Sequence, residues 1–341
     1  MRFNYISTPN RESGFTLLEL MIAMVVGIFL LGGVMFTYLS MKVTTTDTVE
    51  MGEMQETGRI ALDIIGKDLA MAGFFGRVNN EELAFADVTG LAAVAGDCSA
   101  GAGTNSASFP TPGAATNFRT LYGEVVGSTA SEFTSCLSGA KAGSDVLQIK
   151  RASGQDVSGQ ATDANQYYVE STLGTAKFIA GGGTAIDIDG TNVWPYNHHV
   201  YYVSEDTYTK GDKTITVPVL MRKRLTVGNM VTEPILEGVE NLKFSYGMDI
   251  NGDGAVDLYK DASQMTAVDW EQSGITKIET IQVAVLVRAT EEDKNSKVSN
   301  RTYKLGDSQR VITGNDSHRR MVFVSTFKLN NAGNNQWSIA L

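Results

Sequence analysis

From Leu20 to Phe36 the chain runs 17 residues without a charge, and the neutral stretch continues through Met41, so 22 residues precede Lys42. Wound as an α-helix at about 1.5 Å per residue, that stretch is roughly 33 Å long, enough to cross a hydrocarbon core of about 30 Å. The segment MRFNYISTPNRESG ahead of it carries Arg2 and Arg11, which predicts a cytoplasmic leader and a large C-terminal part on the other side of the membrane. A cleaved secretory signal peptide is the competing reading. Against it stand an apolar run longer than about 7–15 residues and the lack of a small-x-small cleavage site after Met41. Glu19 sits at the head of the run, where an unpaired carboxylate costs about 3 kcal/mol. If the chain is cut between Gly14 and Phe15, the nearest cation for Glu19 is the new α-amine of Phe15, of its own chain or, better, of a neighbour.

The string RESG/FTLLELMIAMVV resembles the class III signal of type IV prepilins and pseudopilins: a short basic leader ending in Gly, then Phe, then Glu at the fifth mature position, then an apolar helix. The resemblance implies that a prepilin peptidase cleaves after Gly14 and methylates the amine of Phe15. It also implies that Glu19 is read during assembly through the Phe15 amine of an adjacent subunit. One departure is the missing proline that many major pilins carry in this helix; Gly27 and the pair Gly32 and Gly33 are the available soft points.

Beyond Met41, residues Met54, Gly58, Ala61, Ile65, Leu69 and Ala72 recur at three-and-four spacing, which predicts one core-facing stripe on a continuing helix. Glu50, Glu53, Glu56, Asp63 and Lys67 fall largely off that stripe, and Gly73 and Gly76 are suitable stops. Thr44 to Thr48 has poor helix propensity and is expected to kink or fray. The expected organisation is a leader over 1–14, a transmembrane and assembly helix over 15–41, its amphipathic continuation over 42–76, and a β-rich head over 77–341.

The head is rich in Gly, Ser and Thr, a turn-rich composition. Its two cysteines, Cys98 and Cys136, lie on the side expected to be oxidising. They form either a disulfide, closing a loop of about 38 residues and contributing about 3–4 kcal/mol, or two separate buried thiols. Strand signals fall at 145–150, 199–204, 214–222, 242–246, 275–290 and 321–329, while 154–191 reads as loop and 291–294 as a polar turn. The strings RIALDIIGKDLAMAGFFG, DVLQIKRAS, YYVS, VLMRKR, ILEGVENLKFSYGMDINGDGAVDLY and RRMVFVSTFKLNN resemble, in order, the PilW-type minor pilins of type IV pilus systems. That resemblance implies an α+β fold, a long N-terminal helix packed on an antiparallel β-sheet head. It further implies a place in a tip or priming complex with other minor pilins and the major pilin, on an inner-membrane assembly platform, serving twitching motility, adhesion or DNA uptake. The related alternative is the larger minor pseudopilin of type II secretion.

Asp249-Ile-Asn251-Gly-Asp253-Gly-Ala255-Val-Asp257 has oxygen donors at positions 1, 3 and 5, Gly at 6, a backbone carbonyl at 7 and a carboxylate at 9, the order of an EF-hand-type Ca²⁺ loop. Lys260 replaces the bidentate Glu of position 12, so Asp257 or Asp261 has to complete the shell. A plain hairpin turn is the other reading, since Asn-Gly and Asp-Gly are common hairpin dipeptides. Such a calcium hairpin would be structural, or would serve a calcium-dependent tip adhesin.

Enzyme activity is not expected. No G-x-S-x-G elbow, phosphate-binding glycine loop or H-E-x-x-H occurs. His198 and His199 read as packing or surface residues, and His318-Arg319-Arg320 as a basic cluster solvating the start of a strand. A net charge of -10 gives no sign of nucleic-acid contact, so the expected surroundings are membrane lipid and protein.

Overall fold

The computed structural model describes residues 14–79, 82–99, 104–127, 133, 136–293, 301–306, 308–311 and 316–331. Residues 1–13 of the expected leader and Lys294 of the expected polar turn lie outside them. The chain divides into two compact units, Met1–Gly52 and Glu53–Leu341.

Helix α1 runs Leu17–Ala70. Within the first unit its apolar residues are exposed, and it is long and apolar enough to cross a membrane. Thr44 to Thr48, expected to kink or fray, remain within the helix. The hydroxyls of Thr44, Thr45, Thr46 and Thr48 each donate to the carbonyl four residues back, at 2.8–3.1 Å. In an apolar setting that bond satisfies the side chain without leaving the helix.

The part of α1 in the second unit buries Met54, Gly58, Ala61, Ile65 and Leu69, the predicted stripe, while Glu53, Glu56, Asp63 and Lys67 stay exposed. The helix ends at Ala70, and Gly73 and Gly76 follow with φ of 74°, the left-handed conformation expected of stops. The stripe joins a core with Leu147, Tyr201, Leu242, Phe244, Val283 and Val285.

Two antiparallel sheets make up most of the head. The larger contains β1 (Leu121–Val125), β2 (Asp145–Ala152), β3 (Tyr167–Thr172), β4 (Thr175–Ala180), β5 (Asn192–Lys210), β6 (Lys213–Thr226) and β7 (Asn229–Glu237). Its organiser is β5. One edge of β5 takes β2, and the opposite edge takes β3 near its start and β6 towards its end, because Tyr196 pairs with both β2 and β3 while His199 to Tyr201 pair with both β2 and β6. The smaller sheet has the order β13 (Arg320–Lys328), β10 (Lys277–Arg288), β8 (Val239–Asp249), β9 (Leu258–Asp261). A short helix α2 (Ala267–Glu271), capped by Thr266, follows β9, and the pair β11 (Thr302–Leu305) and β12 (Ser308–Val311) precedes β13.

The α+β architecture follows the expectation, and each of the six strand signals falls within or largely over a strand. Three things differ. The segment read as loop over 154–191 holds β3 and β4, whose YYVEST and TAKFIA runs are joined by Leu173 and Gly174. Glycine, serine and aspartate around those runs gave the stretch a loop composition, although the aromatic and β-branched residues within it fit a sheet. Strands β1, β7, β11 and β12 had no expectation, and β5 and β6 each extend well beyond their signals.

Candidate assembly site and buried polar clusters

The expected processing junction lies at Gly14 and Phe15, and Phe15 is exposed. Two residues on, Thr16 and Glu19 close a reciprocal cap. Thr16 N and Oγ1 both donate to Glu19 Oε2 at 2.9 Å, and Glu19 N donates back to Thr16 Oγ1 at 3.3 Å. This is the S/T-x-x-E capping box, present in the sequence as Thr-Leu-Leu-Glu, a local partner for the carboxylate besides the Phe15 amine. Glu19 therefore has a partner in its own chain before any neighbour arrives. The cap ties the carboxylate to the helix start, beside the residue whose amine cleavage would expose.

In the head, the helix meets β13 through two glycine notches. A Cβ on Gly58 would fall 2.2 Å from Phe323 Cδ2, and one on Gly66 would fall 2.2 Å from Phe327 Cε1. Eight helical residues rise about 12 Å, and four strand residues span about 13 Å, so the two rings meet the two notches in step. Gly73 continues the series beside Asn331, and Asn330 Nδ2 donates to Ala70 O at 3.2 Å.

The same helix end carries a buried carboxylate. Asp68 accepts from Arg151 Nε at 3.0 Å and Nη2 at 2.5 Å through Oδ1; its Oδ2 takes the Tyr201 hydroxyl and lies 2.6 Å from His199 Nδ1. Burial pushes this carboxyl up, but the hydrogen bond and charge of His199, the charge of Arg151 and the Tyr201 hydroxyl outweigh it and hold the group well below the usual carboxylate range. His199 thus belongs to a polar cluster between helix and sheet. The sequence signal was available: Asp68 lies seven residues after Ala61 and three after Ile65, on the apolar stripe rather than off it.

His198 is fully buried in a second cluster. Gln148 Nε2 lies 2.7 Å from its Nε2, its Nδ1 is 2.8 Å from Ser108 Oγ, and Ser108 Oγ donates to Asp97 Oδ1 at 2.7 Å. Lys150, also fully buried, donates to the carbonyls of Ser106 and Arg119, and burial pushes its amine well down. The Ser108, His198 and Asp97 trio contains the residue types of a hydrolase site. Its arrangement is different: with Nε2 accepting from Gln148, His198 Nδ1 donates to Ser108, whose proton goes to Asp97, so the imidazole does not stand as base to the hydroxyl. These contacts pin the loop that carries Cys98, and the expected disulfide between Cys98 and Cys136 is formed.

The basic cluster at His318 to Arg320 does not solvate the start of the strand. Arg320 is buried, paired with Glu240 and Asp316, and Arg319 holds Asp293 at 2.8 Å. Arg320 lies on the face of β13 opposite Phe323 and Phe327, and its burial comes from Glu240 and Asp316, opposite charges that meet it there.

Residues 249–257 form the predicted tight loop between β8 and β9, with Gly252 and Gly254 at φ of 82° and 79°. Asp249 accepts from the amides of Asn251, Gly252 and Gly254; Asn251 from Asp253; Asp253 from Ala255; and Asp257 from Ile250. Among the described residues no group of three or more His, Cys, Asp or Glu side chains is gathered as a metal-ligand set. Asp249 Oδ1 accepts two amides, but its Oδ2 and the accepting oxygens of Asn251, Asp253 and Asp257 each take one N–H and keep a second lone pair, which fits a hard cation. Asp261 is turned towards Ser263 and pairs in register with Ser245, which leaves Asp257 as the carboxylate of this loop.

Two family models match. The one for Type IV Pilus-assembly protein W covers residues 200–331, from within β5 through β13, and the one for the prokaryotic N-terminal methylation motif covers residues 9–35. The two matches support a PilW-type minor pilin. No curated protein and no solved structure matches it. The expected processing junction, the Thr16 and Glu19 cap and most of the apolar run fall within the methylation-motif match. The matched part of the head contains β13, whose rings fill the helix notches. Both families indicate a structural, pilin-like protein.

Proposed function

We propose that this minor pilin is cleaved by a prepilin peptidase between Gly14 and Phe15, methylated on the Phe15 amine, and built with other minor pilins into the complex that starts or tips a type IV pilus. Before assembly the helix over 15–41 holds it in the inner membrane with the head in the periplasm, and afterwards it is carried in the surface filament. Major pilin, the other minor pilins and the inner-membrane assembly platform are its partners, and twitching motility, adhesion or DNA uptake are the processes it serves. The observation that carries this reading is the presence, in one chain, of the methylation motif over 9–35 and the pilus-assembly match over 200–331.

Glu19 is the register device. Its carboxylate, tied to Thr16, is offered to the Phe15 amine of the next subunit, and only the right axial offset brings the two together. Glu19→Ala should leave cleavage intact while lowering incorporation by about tenfold or more, the equivalent of losing about 1.4 kcal/mol. Glu19→Gln keeps a capping side chain but not the charge and should fall with Ala. Immunoblots for the processed form and counts of the subunit in sheared pili check both. Normal incorporation of either variant refutes the role.

The loop over 249–257 is proposed to take Ca²⁺ through Asp249, Asn251, Asp253, the Ala255 carbonyl and Asp257, as a structural ion. Calcium at about a hundred times its Kd adds about 2.7 kcal/mol, which raises Tm by several degrees. Thermal unfolding of the full chain in detergent should show that rise with Ca²⁺ and lose it in Asp253→Asn. Equal Tm with Ca²⁺ and with chelator overturns the assignment.

A further inference from the structure

Strands β5 and β6 continue past the sheet that supports them. The last neighbour on the outer edge of β5 is the segment at Ala140 and Lys141, which bridges Ser204, donates to Val203 O and pairs with Glu205. On the outer edge of β6, β7 pairs as far back as Val219, Gly238 N reaches Pro218 O, and Arg288 Nη2 reaches Thr216 O. Between these limits the hairpin, among the described residues, pairs only with itself, Asp206 with Val217 through Lys210 with Lys213, closed by Gly211 at φ 65°. The residues from Glu205 to Thr209, and Thr214 and Thr216, are exposed. No ladder partner for this outer edge of β5 exists among the described residues.

The backbone phase of the arm is fixed by its contacts. Val203 and Pro218 present their carbonyls outward, and Thr216 does the same towards Arg288. By the alternation of antiparallel pairs, Asp206, Tyr208 and Lys210 of β5 bond inward to β6, while Thr207 and Thr209 face out. The Thr207 N–H confirms the phase, since it donates to the side chain of Asp206 at 2.8 Å rather than to β6. A carboxylate is therefore holding the place of a backbone carbonyl on an open sheet edge. The outward residues Thr207, Thr209, Thr214 and Thr216 form two facing pairs on one face of the arm, a β-branched surface suited to an added strand. Two strands alone are marginal in water, and natural edges of this kind are shortened, bulged or covered.

We propose that the outer edge of β5 at Thr207 to Thr209 is a strand-addition site for an extended segment of another pilus subunit, one that places a Lys or Arg against Asp206. The incoming carbonyl takes the Thr207 N–H, releasing the Asp206 carboxylate to pair with that cation. The incoming strand continues the line of the Ala140 segment along β5, and its backbone supplies the affinity while the residue opposite Asp206 supplies the selectivity. The choice of occupant rests on the assembly role proposed above; the open edge and its phase do not.

The test uses the full chain returned to a strain lacking its gene. Thr207→Pro with Thr209→Pro removes both outward donors while sparing the inward bonds of Asp206, Tyr208 and Lys210. Thr207→Val with Thr209→Val keeps the donors and the β-branched shape. A photoreactive phenylalanine analogue at Tyr208 reports what lies on the arm. The expected result is an adduct whose cross-linked peptide belongs to another pilus subunit. The proline pair should reduce that adduct, and pilus number, about tenfold or more, the valine pair should leave both unchanged, and all variants should unfold within about 2 °C of the parent. Normal adduct and pili in the proline pair overturn the proposal, and so does an equal loss in the valine pair, which would assign the contact to the threonine hydroxyls. If deleting the gene leaves pilus number unchanged, the assembly role fails, and the proline-sensitive adduct still decides the arm.

Discussion

Replacing Asp68 with alanine should cost the head about 3–5 kcal/mol, the range found when one partner of a buried ion pair is removed and the other is left behind. Arg151, His199 and Tyr201 all turn to this one carboxylate, and all are buried. His199 Nε2 already has no hydrogen-bond partner among the described residues, so the cluster has little spare hydrogen-bonding capacity to absorb the loss. For the full chain in detergent the effect should appear as a fall in Tm of ten degrees or so, about 2–4 °C for each kcal/mol lost in a domain of this size. Acid adds a second signature. The folded carboxyl is held below its unfolded value of about 4, so its contribution is complete above pH about 4 and disappears as the pH falls below that through the folded value. Asp68→Asn, which carries no proton to gain, should lose less stability than the parent on acidification from pH 5 to about 2. Equal slopes for the two proteins would show that the cluster is not charged as described.

The elements that were legible in the sequence are those whose signal is local. The three-and-four spacing from Met54 to Leu69 needs no knowledge of what it packs against, and the order Gly14, Phe15, Glu19 is contiguous. The loop over 249–257 was readable as a tight turn for the same reason. Other features depend on partners far away in the chain. Nothing near Gly58 says that Phe323 fills its place, because the relation exists only once β13 lies along the helix. The position of Asp68 on the stripe carries a local signal, but its three partners come from β2 and β5. Arg320 was misread because a basic triplet at the start of a strand has a solvated explanation until Glu240 and Asp316 are placed beside it. The arm of β5 and β6 is intermediate. Its strands gave a signal, while its lack of neighbours is a property of the sheet. Thr16 is the instructive exception, a local pattern passed over because a stronger one beside it had already supplied an explanation.

Alanine at Gly58 or Gly66 should destabilise the parent and stabilise the protein once the facing ring is gone. Two terms of opposite sign compete. In a helix interior alanine is favoured over glycine by about 1 kcal/mol, through lower backbone entropy in the unfolded chain. Here the new Cβ would stand 2.2 Å from a phenylalanine ring, closer than any real contact, and overpacking of that kind costs about 1–3 kcal/mol. The clash wins by a small margin at Gly66, where the nearest atoms are Cε1 and Cζ at the far end of the Phe327 ring, and by more at Gly58, where Phe323 Cγ lies 2.5 Å away near the root of the side chain. Gly58→Ala should therefore lower stability by about 1–2 kcal/mol, and Gly66→Ala by less. In a Phe323→Ala background the clash is absent, only propensity remains, and Gly58→Ala should raise stability by up to about 1 kcal/mol. The same inversion is expected for Gly66→Ala after Phe327→Ala. Urea or thermal unfolding of the four proteins in each cycle gives a coupling energy of about 2–3 kcal/mol at Gly58, and the crossed pair, Gly58→Ala with Phe327→Ala, should be additive because that ring sits about 12 Å further along the helix. Additivity in the matched pair would mean that β13 does not dock into the notches. Because β13 belongs to the matched pilus-assembly segment and the notches belong to the helix, the cycle measures directly how firmly that segment is fixed to the helix end it packs on.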